Sequence, residues 1–250
     1  MSAEKYFEAA QRVYDRIRST QLANIRKAAE FSADSIARGG LVHLFGSGHS
    51  VIPVLDVFPR YGSFAGFHPL MDSRLMWTQV LGSGGVRELL RLERTEGYIA
   101  NFLSNFRFEP LDTMVVYSHG GMNAAPIEVA LHAQALGLKV VAVTSLDNAK
   151  ISRATHSSGK KLADTGDVVI DNCCPPQDSL VEIQGGPVAA SSTFAVIAIS
   201  MALVAETAAR LQARGVRFRA FVSPNVATVG PDNNQKVFDE YIQKLAPRLK

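Results

Sequence analysis

Residues 41–50 read LVHLFGSGHS, and this stretch carries most of the information about the fold. Its first half is nearly all apolar and lacks the alternation of a strand with one face in water. Such a run is typical of a strand that is buried on both faces of a sheet. Its second half is small, polar and rich in glycine, as expected of a loop. The stretch therefore predicts a buried strand that ends in a polar loop.

The same order of elements recurs further along the chain. Residues 113–117 (TMVVY) form a second apolar run, residues 118–123 (SHGGMN) a second polar loop, and residues 124–136 a helical stretch. Two more buried runs follow at 139–144 (KVVAVT) and 167–170 (DVVI). Strands that alternate with helices predict an α/β protein with a parallel sheet and helices on both faces.

Helical patterns frame this core. Apolar residues three and four positions apart over 3–38 predict one long N-terminal helix, ended by the glycines at 39–40. Charged residues interleaved with leucines over 87–102 predict a salt-bridged amphipathic helix on the surface or at a subunit interface. A mostly apolar packing helix is predicted over about 189–214, and a C-terminal helix over 233–249.

The composition limits the class of protein. The chain has 250 residues, of which 47% are apolar and 20% charged, with a net charge of +3. These values suit a globular protein and exclude a collagen or a disordered tail. No low-complexity linker or fixed repeat is present, so we expect a single domain over 1–250 with its core at 40–214. No run of five or more basic residues occurs, so we expect no nucleic-acid partner.

The cysteines indicate a reducing compartment, and the N-terminus indicates a protein that is not exported. Cys173 and Cys174 are the two cysteines and are adjacent, which supplies neither a disulfide framework nor a spaced set of metal ligands. Residues 1–18 are charged and lack the apolar segment of a signal peptide. The longest apolar run, 194–205, is shorter than the roughly 20 residues of a membrane span. We expect a cytoplasmic protein with no membrane partner and no metal.

The two polar loops indicate a ligand. In an open parallel sheet, ligands bind at the carboxyl ends of strands near the switch point. Glycine-rich loops that lead into helices offer N–H groups and a positive dipole end to an anion such as phosphate. Val51 and Ile52 stand where a dinucleotide motif and a nucleophile elbow, respectively, require glycine, and no P-loop is present. The alternative is a pair of ordinary strand-to-helix turns.

Several segments in order resemble the SIS, or sugar isomerase, domain: 46–50, 118–123, 143–145 and 191–193. The resemblance covers about residues 20–212. Residues 157–172, with Ser223 to Asn225 and Asp232 to Asn234 in the tail, further resemble a bacterial subfamily related to phosphoheptose isomerases. The resemblance implies a three-layer, doubly wound, five-stranded parallel sheet of the flavodoxin type. It also implies a sugar-phosphate ligand, no cofactor, and a homodimer or homotetramer with a shared active site.

Matched position by position, the resemblance implies a phosphosugar-binding set drawn from three segments. Hydroxyls near helix N-termini can make several charge-assisted hydrogen bonds to one phosphate, which agrees with this implication. The implied residues are Ser47, His49 and Ser50 in the first loop, Ser118, His119, Gly120, Gly121 and Asn123 in the second, and Ser191, Ser192 and Thr193 in the third.

The resemblance supplies no matching pair of catalytic residues. Aldose–ketose isomerisation needs a base that moves a proton between adjacent carbons through an enediol. Phosphoheptose isomerases carry a glutamate on the helix after the first loop and a histidine on the last long helix. Here Asp56 is the only acid on the first of these helices, and residues 189–212 contain no histidine. The candidates are Asp56, His49, His68 and Glu182, and each has a purely structural alternative.

The leading hypothesis is therefore a phosphosugar isomerase of the aldose–ketose type. The missing glutamate and histidine leave two alternatives open. One is a phosphosugar-binding sensor without turnover, and the other is a lyase or etherase that acts on an amino-sugar phosphate.

Overall fold

A parallel sheet of five strands forms the centre of the computed structural model, which describes residues 2–226 and 229–250. The strands are β1 (Val42–Gly46), β2 (Phe67–Leu70), β3 (Thr113–Tyr117), β4 (Lys139–Thr144) and β5 (Val168–Asp171). Their order is β2-β1-β3-β4-β5, and every neighbouring pair is parallel. The predicted five-stranded parallel sheet is confirmed. The predicted domain span also includes Met1, Ala227 and Thr228, which lie outside the described residues.

The strand order creates a switch point between β1 and β3. The chain moves from β1 to β2 on one side and then crosses back to β3 on the other side. Every residue of β1 and of β3 is buried, because helices cover both faces of the sheet. At such a point the connections leave in opposite directions, and a crevice opens beyond the carboxyl ends of the two strands.

Helices pack on both faces of the sheet, as the three-layer prediction requires. They are α1 (Ser2–Thr20), α2 (Leu22–Ala37), α3 (Val51–Val57), α4 (Val86–Leu92), α5 (Tyr98–Leu103), α6 (Ala124–Ala135), α7 (Leu146–Ile151), α8 (Ser192–Ala213) and α9 (Asn233–Leu245). One core includes Ala28 of α2, Val54 of α3 and Ile199 of α8. The other core, on the opposite face, includes Leu103 of α5 and Val129 of α6.

The prediction of one N-terminal helix over 3–38 is wrong, because the chain forms two helices that meet at Gln21. The Gln21 side chain is buried there, and its amide oxygen accepts a hydrogen bond of 3.0 Å from the backbone N–H of Asp171. This bond ties the junction between α1 and α2 to the end of β5. Helical periodicity continues through the junction, so it did not predict the break.

The predicted helix over 87–102 is also divided, into α4 and α5. Gly97 precedes α5 with a φ of +83°, in the left-handed region that glycine adopts readily. The C-terminal helix, predicted over 233–249, ends at Leu245 and is followed by a 3₁₀ turn, Ala246–Arg248.

A β-hairpin that was not predicted lies between β5 and α8. Its strands are β6 (Ser179–Ile183) and β7 (Gly186–Ala190), which pair antiparallel. The packing helix therefore begins at Ser192 rather than near 189. The Tyr6 hydroxyl donates a hydrogen bond of 3.3 Å to the Ala190 carbonyl, which joins the hairpin to α1.

Helix α8 is long and apolar enough, by length and composition, to cross a membrane. The apolar run 194–205 was expected to be too short to span a membrane, but the helix that contains it is long enough. The core helix of a soluble protein passes the same test, and α8 packs here against α2 and α3. Buried residues along α8 include Ala195, Ile199, Leu203 and Leu211.

Candidate functional site

The first polar loop forms a tight turn between β1 and α3. A Cβ atom on Gly46 would lie 2.0 Å from the carbonyl oxygen of Ser50, so this approach of two backbone segments requires glycine. Gly48 has a φ of +59°, again in the left-handed region. The turn leaves Ser50 partly exposed directly before α3 and His49 exposed, while Ser47 points into the protein.

Ser47 contacts a carboxylate that the sequence analysis had placed on a helix at the surface or at a subunit interface. Its hydroxyl donates a hydrogen bond of 2.7 Å to Oε2 of Glu93, which is only 6% exposed. Burial raises the pKa of Glu93 above its usual value. The backbone carbonyl of Glu93 accepts a 3.0 Å bond from the N–H of Ala125 in the first turn of α6. Glu93 thus joins the first loop to the helix that follows the second.

One sequence signal could have identified Glu93. It lies four positions after Leu89, which is the buried residue of α4. Residues four apart share one face of a helix, so Glu93 continues the apolar face with a charged side chain. The many charged neighbours of Glu93 favoured the interpretation as a helix on the surface or at a subunit interface.

The second polar loop turns sharply between β3 and α6. The Ser118 hydroxyl accepts a hydrogen bond of 3.1 Å from the Gly121 N–H. Gly121 has a φ of +65°, and a Cβ there would lie 2.8 Å from Oγ1 of Thr144. Gly120 has open space where its Cβ would stand. Asn123 precedes α6, and its side chain makes no capping hydrogen bond.

A cavity of about 170 Å³ lies at the start of α6. Its lining residues are Arg94, Glu96, Met122, Asn123, Ala124, Thr155 and His156. Arg94 forms no ion pair with any of residues 2–226 and 229–250. The first N–H groups of a helix have no intrahelical acceptor and carry a partial positive charge. This cavity therefore combines a helix N-terminus and a guanidinium group, which favour an anion, with the carboxylate of Glu96, which accepts hydrogen bonds from the N–H and hydroxyl of Ser157.

His119 has hydrogen-bond partners on both ring nitrogens. Nε2 lies 3.2 Å from the carbonyl oxygen of Pro176, and Nδ1 lies 3.2 Å from Nδ2 of Asn172. A neutral ring that donates from Nε2 and accepts at Nδ1 satisfies both contacts. His119 therefore holds the segment after β5 against the second loop.

The third predicted segment, Ser191 to Thr193, donates hydrogen bonds to a carboxylate of the protein itself. Asp178 accepts hydrogen bonds from the backbone N–H groups of Ser191 (3.0 Å) and Ser192 (2.6 Å). It also accepts from the Ser191 hydroxyl at 3.2 Å and from the Ser192 hydroxyl at 2.7 Å. The hydroxyl and N–H groups that were expected to bind phosphate therefore donate to Asp178, which caps α8. The predicted segment also includes Thr193.

The candidate catalytic residues lie at different places. The His49 ring packs against Trp77 with the centroids 4.5 Å apart, at the edge of the first loop. Asp56, in the last turn of α3, forms an ion pair of 2.7 Å with Arg60, four residues further along the chain. Glu182 lies exposed on the hairpin and has no hydrogen bond or ion pair with other described residues.

His68 lies near the amino ends of the strands, whereas the two polar loops follow the carboxyl ends of β1 and β3. It is the second residue of β2, beside His43 in β1, and its Nδ1 lies 2.6 Å from the Tyr241 hydroxyl. Nε2 of His43 lies 3.3 Å from Asp112, which precedes β3 and accepts a 2.7 Å bond from Arg248. Burial lowers the pKa of His68 to about 3. These residues form a buried network near the amino ends of the strands.

The structure therefore brings the first and second loops together at the switch point. The order of the strands and the position of these loops define a doubly wound α/β protein of the flavodoxin-like type. The carboxyl ends of β1 and β3 carry the predicted residues Ser47, His49 and Ser50 and the loop 118–123. Glu93 lies between the two loops.

Comparison with known proteins identifies the family. A family model described as SIS domain matches residues 5–145. A UPF0309 protein of Listeria monocytogenes is 31% identical over 242 residues, covering 96% of both chains. A UPF0309 protein of Thermoanaerobacter pseudethanolicus is 35% identical over 182 residues, 72% of each chain. The chain belongs to the SIS domain family and, within it, to the UPF0309 proteins.

A solved structure supports the fold. A phosphoheptose isomerase from Francisella tularensis superimposes with a TM-score of 0.51 at 15% identity, over 85% of this chain and 99% of that one. The recognition of a SIS-type sheet from the sequence is therefore confirmed.

Proposed function

We propose that the protein binds a sugar phosphate at the β1/β3 edge and interconverts its aldose and ketose forms. The observation that carries this proposal is the cavity at the start of α6, which is lined by Arg94 and by Asn123 and Ala124 at the N-terminus of the helix. Membership of the SIS domain family supports a sugar-phosphate ligand.

In this proposal the phosphate binds at the N-terminus of α6. The Ala124 N–H, the Asn123 amide and the Arg94 guanidinium are its donors, since the Ala125 N–H donates to the Glu93 carbonyl and Pro126 has no N–H. Hydrogen bonds to a charged acceptor are the stronger kind. The sugar extends toward the first loop, where His49 and Ser50 are accessible. Hydroxyl and imidazole groups there suit the oxygen atoms of a sugar.

The reaction needs a proton transfer and no change of oxidation state overall. A base removes the proton on the carbon beside the carbonyl, and a proton then returns to the neighbouring carbon. We accordingly expect no redox cofactor and no metal. The sugar itself is set by the shape of the ligand site, and a panel of pentose, hexose and heptose phosphates is the appropriate test set.

Binding is tested by calorimetry with this panel, with the matching free sugars and inorganic phosphate as comparisons. We expect a sugar phosphate to bind, and Arg94→Ala to weaken its binding about tenfold or more, because a charge-assisted hydrogen bond is lost. Arg91→Ala is the matched control, because Arg91 is exposed on α4 and does not line the cavity. Equal affinities of the two variants would contradict this position for the phosphate.

A sensor without turnover is the second candidate. Two observations favour it: Ser191 and Ser192 donate their hydrogen bonds to Asp178, and α8 contains no histidine. A sugar phosphate that binds without being converted supports the sensor. Release of a lactate-like fragment from an amino-sugar phosphate instead indicates the lyase or etherase.

We also propose a cytoplasmic homodimer or homotetramer with a shared active site. Large apolar side chains are exposed on α1 and at the start of α8: Phe7 is 71% exposed, Tyr14 42% and Phe194 40%. The Tyr14 and Phe194 rings pack together beside the third segment, with centroids 6.5 Å apart, and Phe7 precedes Tyr14 by two turns on the same face of α1. Light scattering after size-exclusion chromatography measures the mass, and a monomer would contradict this proposal.

A further inference from the structure

Glu93 differs from the other buried carboxylates of the described residues. Asp72, Asp112 and Asp171 each form an ion pair with an arginine. Glu93 forms no ion pair within residues 2–226 and 229–250, and its side-chain hydrogen bond comes from the neutral hydroxyl of Ser47. Buried charges are usually paired, because removal from water is costly. An unpaired buried carboxylate indicates a role other than stabilisation.

Its position agrees with a role in proton transfer. A Cβ atom on Gly48 would lie 4.0 Å from Oε2 of Glu93, so the first loop passes directly beside the carboxylate without a side chain between them. Its backbone bond to Ala125 holds it at the helix where we place the phosphate. The carboxylate thus lies between the proposed phosphate site and the loop that faces the sugar.

Its environment also suits this chemistry. Burial raises the pKa of Glu93, while the Ser47 bond and the charge of Arg94 lower it by smaller amounts. A carboxyl whose pKa is raised toward the working pH both accepts and returns a proton more effectively than an ordinary surface glutamate.

We propose that Glu93 is the group that moves the proton between the adjacent carbons of the sugar phosphate, with Ser47 as the residue that positions it. This inference rests on the proposed isomerase function. It replaces Asp56 and His49, the candidates near the first loop, in the role of base.

The step balances without a further reactant. The Glu93 carboxylate removes the proton from the hydroxyl-bearing carbon beside the aldehyde, and the C–H electrons form the C=C bond of an enediol. The aldehyde oxygen takes a proton from water. Glu93 then returns its proton to the former aldehyde carbon, while the neighbouring hydroxyl gives a proton to water and becomes the ketone. Ser47 occupies Oε2, which leaves Oε1 to carry the proton.

The test uses Glu93→Gln in the full-length protein. With a sugar phosphate that the wild type converts, we expect the rate of solvent-deuterium incorporation to fall about a hundredfold or more. The affinity measured by calorimetry should stay within about threefold, because the proposed phosphate contacts remain. Glu88→Gln, an exposed acid of α4, is the control and should keep the wild-type rate.

Glu93→Asp provides a second, independent measurement if the glutamine variant does not fold. It keeps the charge but shortens the reach, so we expect about a tenfold loss of rate with unchanged affinity. A folded variant of either kind with the wild-type exchange rate overturns the role of Glu93 alone. A wild-type protein that binds a sugar phosphate and exchanges no member of the panel overturns the isomerase function, and the role of Glu93 with it.

Discussion

The carboxylate of Asp178 accepts hydrogen bonds from both the backbone N–H and the hydroxyl of Ser192, at 2.6 and 2.7 Å. Asp178 has a φ of +66°, a conformation that aspartate tolerates better than most residues. An acidic side chain at a helix N-terminus supplies acceptors for unpaired N–H groups and interacts favourably with the helix dipole. The hairpin is thereby attached to the first turn of α8.

The first prediction follows from this cap. Asp178→Ala should lower the free energy of unfolding by about 1–2 kcal/mol, because the N–H and hydroxyl donors of α8 lose their acceptor. Urea denaturation followed by circular dichroism measures the change. Glu182→Ala on the same hairpin is the control, since that side chain is exposed and unpaired among the described residues. Indistinguishable midpoints for the two variants would show that Asp178 does not cap α8.

The second prediction compares the two adjacent glycines of the second loop. Gly121→Ala should cost about 1–2 kcal/mol for the left-handed backbone alone, and the clash with Oγ1 of Thr144 adds to this cost. Gly120→Ala should change stability by less than about 0.5 kcal/mol, because no atom lies within 4 Å of its Cβ position. Urea unfolding of both variants tests this difference, and equal stabilities would contradict the described turn.

The third prediction concerns the buried network near the amino ends of the strands. His68 has a pKa of about 3 in the folded protein, and burial also lowers the pKa of His43. The unfolded chain therefore binds protons at these residues below about pH 6.5, while the folded protein does not. The contribution of these histidines to stability should be constant above this pH and fall on acidification, by at most about 1.4 kcal/mol per pH unit for each histidine.

His68→Gln removes one of these titrations and should reduce the slope between pH 6.5 and 4.5. Asp112, near Arg248 and His43, has a lowered pKa, so its contribution is lost only as the pH falls below the value of an unfolded aspartate, about 3.9. The other group facing His68 is the Tyr241 hydroxyl, whose pKa is raised to about 12 and which stays neutral in this range. Parallel pH curves for the variant and the wild type would contradict the assignment.

The fourth prediction concerns thiol reactivity. Burial raises the pKa of Cys173 to about 11 and that of Cys174 to about 12. The thiolate is the reactive form, so both residues should react with a disulfide reagent far more slowly at pH 8 in the folded protein than in denaturant. Stopped-flow absorbance measures the two rates. Rapid labelling of the folded protein would show that the thiols are accessible and ionised.

The sequence predicted the parts of the fold that depend on local patterns. The apolar runs at β1 and β3 and the glycine-rich loops after them were identified correctly, because burial on both faces and tight turns leave a direct mark on residue type. The edge at which the loops meet followed from the topology of parallel sheets.

The contacts that were not predicted depend on distant residues. Glu93 lies beside Ser47 only because the segment after β2 folds back over the first loop, and its charged neighbours indicated a helix on the surface or at a subunit interface. Asp178 meets α8 because an unpredicted hairpin returns the chain to it. His68 was predicted to lie near the ligand if its segment formed the second strand; the segment does form β2, and the pairing with His43 places His68 near the amino ends of the strands.

Solvent-deuterium incorporation into a panel of aldose and ketose phosphates, followed by NMR with the wild-type protein in D₂O, tests the central claim most directly. The proposed reaction predicts deuterium at a carbon adjacent to the carbonyl of one sugar phosphate, together with interconversion of its aldose and ketose forms. Binding of a sugar phosphate without deuterium incorporation or conversion in any member of the panel would contradict the claim and favour the sensor.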